Sequence, residues 1–121
     1  MPSPLIGAWE QVSDQYVTLA LFTESHFSIV GMDKNRKGFK GEQPTRDEII
    51  EAYDTSRSLA GTYTISGNRV TFKRIVNQRP DLSSRETEWE FTIEGDALRL
   101  KVVRAASGTS PGLDNVFKKL S

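Results

Sequence analysis

The chain has 121 residues, with sixteen basic and sixteen acidic side chains and no cysteine. This length predicts one domain. The balanced charge provides no global field that would recruit nucleic acid or an anionic membrane. The lack of cysteine excludes disulfides, thiolate nucleophiles and Cys-ligated metals. No signal-peptide pattern and no apolar run of roughly 18 residues are present, so a cytoplasmic location is expected by default.

The N-terminal third predicts three strands. Residues 5–13 form the first, with Trp9 as its largest side chain, and residues 16–23 and 26–33 pair as a hairpin about Glu24-Ser25. Both faces of this hairpin are apolar: Ala20, Phe22, Phe27 and Ile29 on one, and Val17, Leu19, Leu21, Val30 and Met32 on the other. Because a sheet with two apolar faces is covered on both sides, we expect a helix of this chain or a second subunit on the outside.

A polar loop and a short helix follow. Residues 34–41 contain four basic side chains and are interpreted as a solvated connection or, alternatively, as a mobile lid with Phe39 at its tip. Thr45 with Glu48 three residues later predicts a capping box at a helix N-terminus. The apolar stripe of Ile49, Ile50 and Tyr53 is expected to plug one end of a barrel.

Residues 59–76 predict a second hairpin with Gly67-Asn68 at its two-residue turn. Counting outward from the turn pairs Ile65 with Val70, Tyr63 with Phe72, and Gly61 with Arg74. One face then reads Tyr63, Ile65, Val70, Phe72 and Val76, which is the apolar side of a sheet that covers a core. Arg74 lies on this apolar face.

A third hairpin and a last strand complete the chain. A turn at Gly95-Asp96 pairs Ile93 with Leu98, Phe91 with Leu100, Trp89 with Val102 and, on the opposite face, Glu90 with Lys101. The same alternation directs Arg85, Thr87 and Arg104 inward. Residues 115–120 predict a strand that closes the sheet on the first. The fold class is therefore all-β: an up-and-down antiparallel β-barrel of about eight strands with one short helix.

Several segments resemble one family. LIGAWEQVS resembles the Gly-x-Trp first strand of lipocalins, and LAGTYTISGNRVTF, FTIEGDALRLKV and VFKKL resemble the bacterial lipocalin-like domain family, a calycin-type small β-barrel. The resemblance covers nearly the whole chain and implies an apolar barrel interior. It also implies that Trp9 is covered by a basic residue, at the position of Lys119. Phe117 stands where the family often has Trp, and the family implies no single activity.

Few residues suggest chemistry. His26 is the only histidine and is interpreted as a surface or packing residue, so no metal site and no cofactor are predicted. An interior Arg74 is costly unless it is paired or wet, so Gln11, Tyr63 or a carboxylate is expected beside it. It is either part of a solvated rim or ion pair, or a cation that orients the polar or anionic head of an apolar ligand.

Three functions remain open. The first is binding of a small, largely apolar molecule in the barrel interior, with candidate ligand-binding residues Trp9, Gln11, Tyr63, Phe72, Arg74, Trp89, Phe91 and Arg104. The second is an isomerase or cyclase with Tyr63 as acid/base and Arg74 stabilising negative charge. The third is a structural or interaction domain with a filled core. We also expect a symmetric homodimer through the outside of the first hairpin, which zero net charge does not oppose.

Overall fold

The computed structural model describes residues 3–80, 85–104 and 114–120, and for Arg104 and Asp114 the backbone alone. These residues form a closed barrel in which each antiparallel strand pairs with the next and β8 pairs with β1. The elements are β1 Gly7–Gln11, β2 Tyr16–Phe22, β3 His26–Asp33, α1 Arg46–Asp54, β4 Ser56–Ser66, β5 Arg69–Asn77, β6 Glu86–Glu94, β7 Ala97–Arg104 and β8 Asp114–Lys119. The predicted all-β up-and-down barrel with one short helix is confirmed. No helix in the described part of the chain is long and apolar enough to cross a membrane.

The three hairpins have the predicted registers next to their turns, and register shifts interrupt two of them further along, between Ala60 and Gly61 and between Glu88 and Trp89. Tyr63 pairs with Phe72 and Gly61 with Arg74, Trp89 pairs with Val102, and Phe22 pairs with Phe27. The turns depend on glycine, since Gly67 and Gly95 have φ of 62° and 61°, a region that residues with a Cβ rarely adopt. Local turn chemistry therefore sets the strand pairing, and the pairing sets which side chains face inward.

The barrel closes at Trp9. Its backbone pairs with Lys119, its side chain is 1% exposed, and its Nε1 donates a hydrogen bond to the carbonyl of Leu5 at 2.9 Å. The Lys119 Nζ lies 5.6 Å from the centre of the indole ring, within the range of a cation–π interaction. The stacking expected for this pair is present.

The core fills the end of the barrel at which the short hairpin turns lie. Tyr63 lies in it, with its hydroxyl donating to the carbonyl of Thr23 and contacting the Ser3 hydroxyl, both at 2.6 Å. The cluster of buried side chains comprises Leu5, Trp9, Ala20, Phe22, Phe27, Tyr63, Val70, Phe72, Leu98, Leu100 and Phe117. Ring pairs such as Phe27 and Phe72, with centroids 4.6 Å apart, pack within it. We call this the turn end of the barrel.

A bulge in β5 overturns one predicted position. The register shifts between Ala60 and Gly61, so that Ala60 pairs with Val76 while Gly61 pairs with Arg74. Val76 is exposed, and its predicted place on the inner face is wrong because the extra residue reverses the alternation. A Cβ on Gly61 would clash with the Lys73 carbonyl and lie 2.9 Å from the Ile75 nitrogen. Only glycine permits this close approach.

The helix does not plug the barrel. Its capping box is present as predicted, with the Thr45 side chain accepting from the Glu48 amide and the Glu48 side chain accepting from the Thr45 amide. No residue of α1 is buried, and Ile49, Ile50 and Tyr53 are exposed. Polar contacts hold its C-terminus instead, from Arg36 to the carbonyl of Ala52 and from Gln78 to that of Tyr53.

One apolar face of the first hairpin points into the barrel and the other points outward. Ala20, Phe22 and Phe27 are buried in the core, whereas Leu19, Leu21, Val30 and Met32 on the other face are 41–56% exposed. The expected covering helix does not lie over these four side chains, which leaves them open to solvent in the described chain.

Candidate functional site

The candidate site lies at the end of the barrel opposite the turn end, which we call the loop end. There β1, β3, β5 and β7 finish and β2, β4, β6 and β8 begin, and the longer connections leave the barrel. Inward side chains at this end include Thr18, Arg57, Arg74 and Thr87. Polar and cationic groups therefore replace the apolar side chains of the turn end.

Arg74 is partly buried without an ion pair. Its Nη1 donates a hydrogen bond to the hydroxyl of Thr87, a side chain that is only 2% exposed. Its Nε is buried and has no hydrogen-bond partner among the described residues. Removal from water lowers the pKa of Arg74 below its ordinary value, because burial disfavours the charged form. Arg74 is thus a cation with an unused donor.

Trp89 supplies a second unused donor. Trp89 lies two residues from Thr87 on the same face of β6. It pairs with Val70, which lies two residues from Phe72 in β5. Its Nε1 is buried and, within the described chain, has no hydrogen-bond partner. Buried donors are normally satisfied, and indole N–H and guanidinium groups can only donate. Arg74 lines the cleft at the loop end, whereas Trp89 packs against the core, so a molecule bound in the cleft can accept from Arg74.

Arg57 is a functional candidate that the sequence reasoning missed. Its Cζ lies 4.4 Å from the centre of the Tyr16 ring, and its Nη2 donates to the hydroxyl of Thr18 at 3.4 Å. Strand alternation is the signal that identifies Arg57. It was missed because the hairpin was predicted to begin at residue 59, whereas β4 begins at Ser56. Extending the inward series of Tyr63, Gly61 and Leu59 by one more step reaches Arg57.

A cleft of about 360 Å³ at the loop end is lined by Tyr53, Arg57, Leu59, Arg74 and Gln78, among others. Asp54 is a carboxylate in the lining, and Arg79 contributes a third guanidinium. Of the described residues, no carboxylate oxygen lies within 4.0 Å of Arg57 or Arg74. The cleft therefore combines an apolar wall with two cations, Arg57 and Arg74, that have no carboxylate partner among the described residues.

Of the other predicted site residues, four belong to the core or pack against it, and the remainder lie elsewhere. Trp9, Tyr63 and Phe72 are buried in the core at the turn end, and Phe91 packs partly buried against it. Gln11 donates to the side chain of Asn115 at 3.2 Å. The side chain of Arg104 lies outside the described part of the chain, and Arg85 is exposed.

The neighbours expected for Arg74 are wrong. The side-chain partner of Arg74 is Thr87 and not Gln11, Tyr63 or a carboxylate. Thr87 is within reach because it pairs with Phe72, which lies two residues from Arg74 on the same face of β5. The hydroxyl of Tyr63 is engaged by Thr23 and Ser3 at the turn end, whereas Arg74 serves the loop end. The polar partners of Tyr63, the acid/base of the isomerase or cyclase hypothesis, are therefore different from those of Arg74, the expected stabiliser of negative charge.

A larger cleft of about 490 Å³ separates residues 37–43 from α1. Its central acid, Glu48, accepts from the amides of Thr45 at 2.8 Å and Lys40 at 3.0 Å. These backbone hydrogen bonds lower the pKa of Glu48. Because the central acid already has its partners, this cleft is the weaker ligand candidate. Over the described residues no group of His, Asp or Glu is arranged to hold a metal ion, and His26 is exposed, with Nδ1 2.7 Å from Ser25 Oγ.

Comparisons with known proteins returned no match: no family model, no curated protein and no solved structure is similar to the chain. The geometry therefore defines a class, an eight-stranded antiparallel up-and-down barrel with a cationic cleft at its loop end.

Proposed function

We propose that this barrel binds a small, largely apolar molecule at its loop end, with a polar group directed at Arg74. The observation that carries the proposal is the buried Nε donor of Arg74, which has no partner among the described residues and belongs to a side chain that lines the cleft. A buried donor without a partner costs about 1–3 kcal/mol. An acceptor on a bound ligand removes this cost, and the apolar wall of the cleft covers the rest of the molecule.

The alternative structural role for Arg74 has less support. A structural ion pair requires a carboxylate beside the guanidinium, and the described residues provide only the hydroxyl of Thr87. Leu59 and Tyr53, in contrast, supply apolar surface within the same cleft. Small-molecule sites typically combine apolar walls with a few convergent polar groups.

The resemblance to the bacterial lipocalin-like domain family agrees with this proposal. Its support is the pairing of Trp9 with Lys119 across the β1–β8 junction, which is the contact that the resemblance implies. The family assignment is itself part of the proposal.

Anilinonaphthalene sulfonate, an apolar fluorescent anion, provides the test. We expect saturable binding of one molecule per chain, weakened at least fivefold by Leu59→Ala in the cleft. Leu21→Glu on the outside of the barrel should leave the affinity unchanged. Binding that is lost with Leu21→Glu and unaffected by Leu59→Ala would place the probe on the outer surface and overturn the proposal. Absence of binding would leave the barrel as a structural domain with a filled core.

We propose in addition that the chain forms a homodimer through the apolar outer face, defined by the outward side chains of β2–β4: Val17, Leu19, Leu21, Ser28, Val30, Met32, Ser58 and Ala60. None of these is charged, whereas the outer face of β5–β7 carries Arg69, Lys73, Glu86, Glu88, Glu90, Arg99 and Lys101. An uncharged face requires an uncharged partner, and a second copy presents one. A two-fold axis through the patch satisfies this requirement.

Light scattering at tens of micromolar tests the dimer. The wild type should be dimeric, Leu21→Glu should be monomeric, and Thr92→Glu should remain dimeric because Thr92 lies on the charged side of the barrel. A monomeric wild type contradicts the proposal.

A further inference from the structure

We propose that the molecule bound at the loop end carries an anionic group, which Arg74 and Arg57 bind from opposite walls of the barrel. This inference rests on the proposed function and deepens it by assigning the charge of the ligand and a second binding residue. It is carried by the placement of the two guanidinium groups.

Arg57 reaches across the inside of the barrel wall. Thr18 pairs with Gly31, and Gly31 pairs with Arg57, so the three residues form one row across β2, β3 and β4. Gly31 has no side chain, and a Cβ there would lie 2.6 Å from the Thr18 hydroxyl oxygen. The Arg57 side chain passes over this gap, and its guanidinium group stacks on Tyr16. The glycine thereby directs the Arg57 charge toward β2.

Arg74 is directed the other way, toward β6, where it donates to Thr87. In the closed barrel, three strands separate β2 from β6 in either direction. The two guanidinium groups are therefore anchored on opposite walls. An eight-stranded barrel encloses room for its own side chains or for one small ligand, so both cations act on the same bound molecule.

The two positive charges favour an anion over a neutral acceptor. Arginine stays protonated in proteins, and within the described residues neither guanidinium has a carboxylate within 4.0 Å. Charge-assisted hydrogen bonds from guanidinium to an oxyanion are about twice as strong as neutral ones. A carboxylate, sulfonate or phosphate fits this set of groups.

Two fluorescent probes that differ in one charged group provide the experiment. Anilinonaphthalene sulfonate is anionic, and phenylnaphthylamine has the same ring system without the sulfonate. We expect the wild type to bind the anionic probe at least tenfold more tightly. Arg74→Met and Arg57→Met should each reduce this preference about tenfold, with the affinity for the neutral probe nearly unchanged. Arg69→Met, on the outer face, is the matched control and should keep the full preference.

The outcomes separate the two proposals. Equal binding of both probes to the wild type, or a preference that survives Arg74→Met together with Arg57→Met, overturns the anionic assignment and leaves the ligand-binding function in place. Failure of the wild type to bind either probe overturns both. The neutral probe also reports whether each variant keeps its cleft, so that loss of the anionic preference alone is not a folding effect.

Discussion

Arg74 on β5 donates a hydrogen bond from Nη1 to the hydroxyl of Thr87 on β6, and this hydroxyl is the polar partner that the described residues provide for its guanidinium group. The remaining buried donor, Nε, is unpartnered in the described chain. A residue retained for stability would be expected to have a carboxylate here, since an unpaired buried charge is unfavourable. This arrangement agrees with the proposed binding of a ligand at Arg74.

Arg74→Met should therefore raise the stability of the ligand-free protein, by about 0.5–2 kcal/mol, because it removes a partly buried charge that has no ion-pair partner among the described residues. Methionine keeps much of the side-chain length without burying a charge. Denaturant titration measures the effect, with Arg69→Met as a surface control that changes the free energy of unfolding by less than about 0.5 kcal/mol. A loss of stability in Arg74→Met would show that the arginine is structural.

Trp9→Ala should lower the free energy of unfolding by about 3–5 kcal/mol, the usual cost of truncating a large buried aromatic residue. Trp9 is almost fully buried, and its Nε1 bonds Leu5. Lys119→Ala removes the stacked cation alone and should cost less than about 1 kcal/mol. A loss below about 1 kcal/mol in Trp9→Ala contradicts the role of this residue in closing the turn end.

Gly61→Ala should destabilise the protein by about 1–3 kcal/mol, because the added methyl group meets the β5 backbone and forces it to move. Gly38→Ala is the control, since a Cβ there meets nothing within 4 Å. Arg74 pairs with Gly61 at the edge of this bulge, so a shift of the β5 backbone there also moves Arg74. Tighter or unchanged binding of anilinonaphthalene sulfonate in Gly61→Ala would argue against the link between the bulge and the site.

Glu48 should protect the amides of Lys40 and Thr45 from hydrogen exchange, and the protection should depend on pH. Hydrogen bonds from these amides lower the pKa of the Glu48 carboxyl, so its stabilising effect is present above the ordinary glutamate pKa of about 4.3 and is lost as pH falls through the lower pKa of the folded state. Glu48→Gln keeps one acceptor oxygen, so at pH 6 it should lose protection at one of the two amides, and the dependence of the protection on pH should disappear, with intrinsic exchange rates corrected for pH. Glu42→Gln is the matched control, because no contact ties Glu42 to these two amides. Equal protection in wild type and Glu48→Gln contradicts this role.

The sequence alone determined the architecture of this protein. Gly67-Asn68 and Gly95-Asp96 specify tight turns, and counting outward from them yields the strand registers, the inward position of Arg74 and the capping box at Thr45. These features are local, because turn geometry and side-chain alternation act over a few residues. Alternation also placed Trp9 on the barrel wall, while its contact with Lys119 came from the resemblance.

Tertiary structure decided what depends on contacts between distant strands. The bulge opposite Gly61 turned Val76 outward because one extra residue in β5 reverses the alternation, and glycine is required at position 61 because the Lys73 carbonyl approaches it closely. Strand alternation in the sequence leads to the inward position of Arg57. It does not predict that the Arg57 side chain passes over Gly31 to Tyr16, because this contact requires β2, β3 and β4 to lie side by side. The separation of the Tyr63 hydroxyl from the Arg74 guanidinium group was likewise decided by tertiary contacts. Tyr63 bonds Thr23 and Ser3 at the turn end, whereas Arg74 bonds Thr87 on β6, and no local pattern encodes these partners.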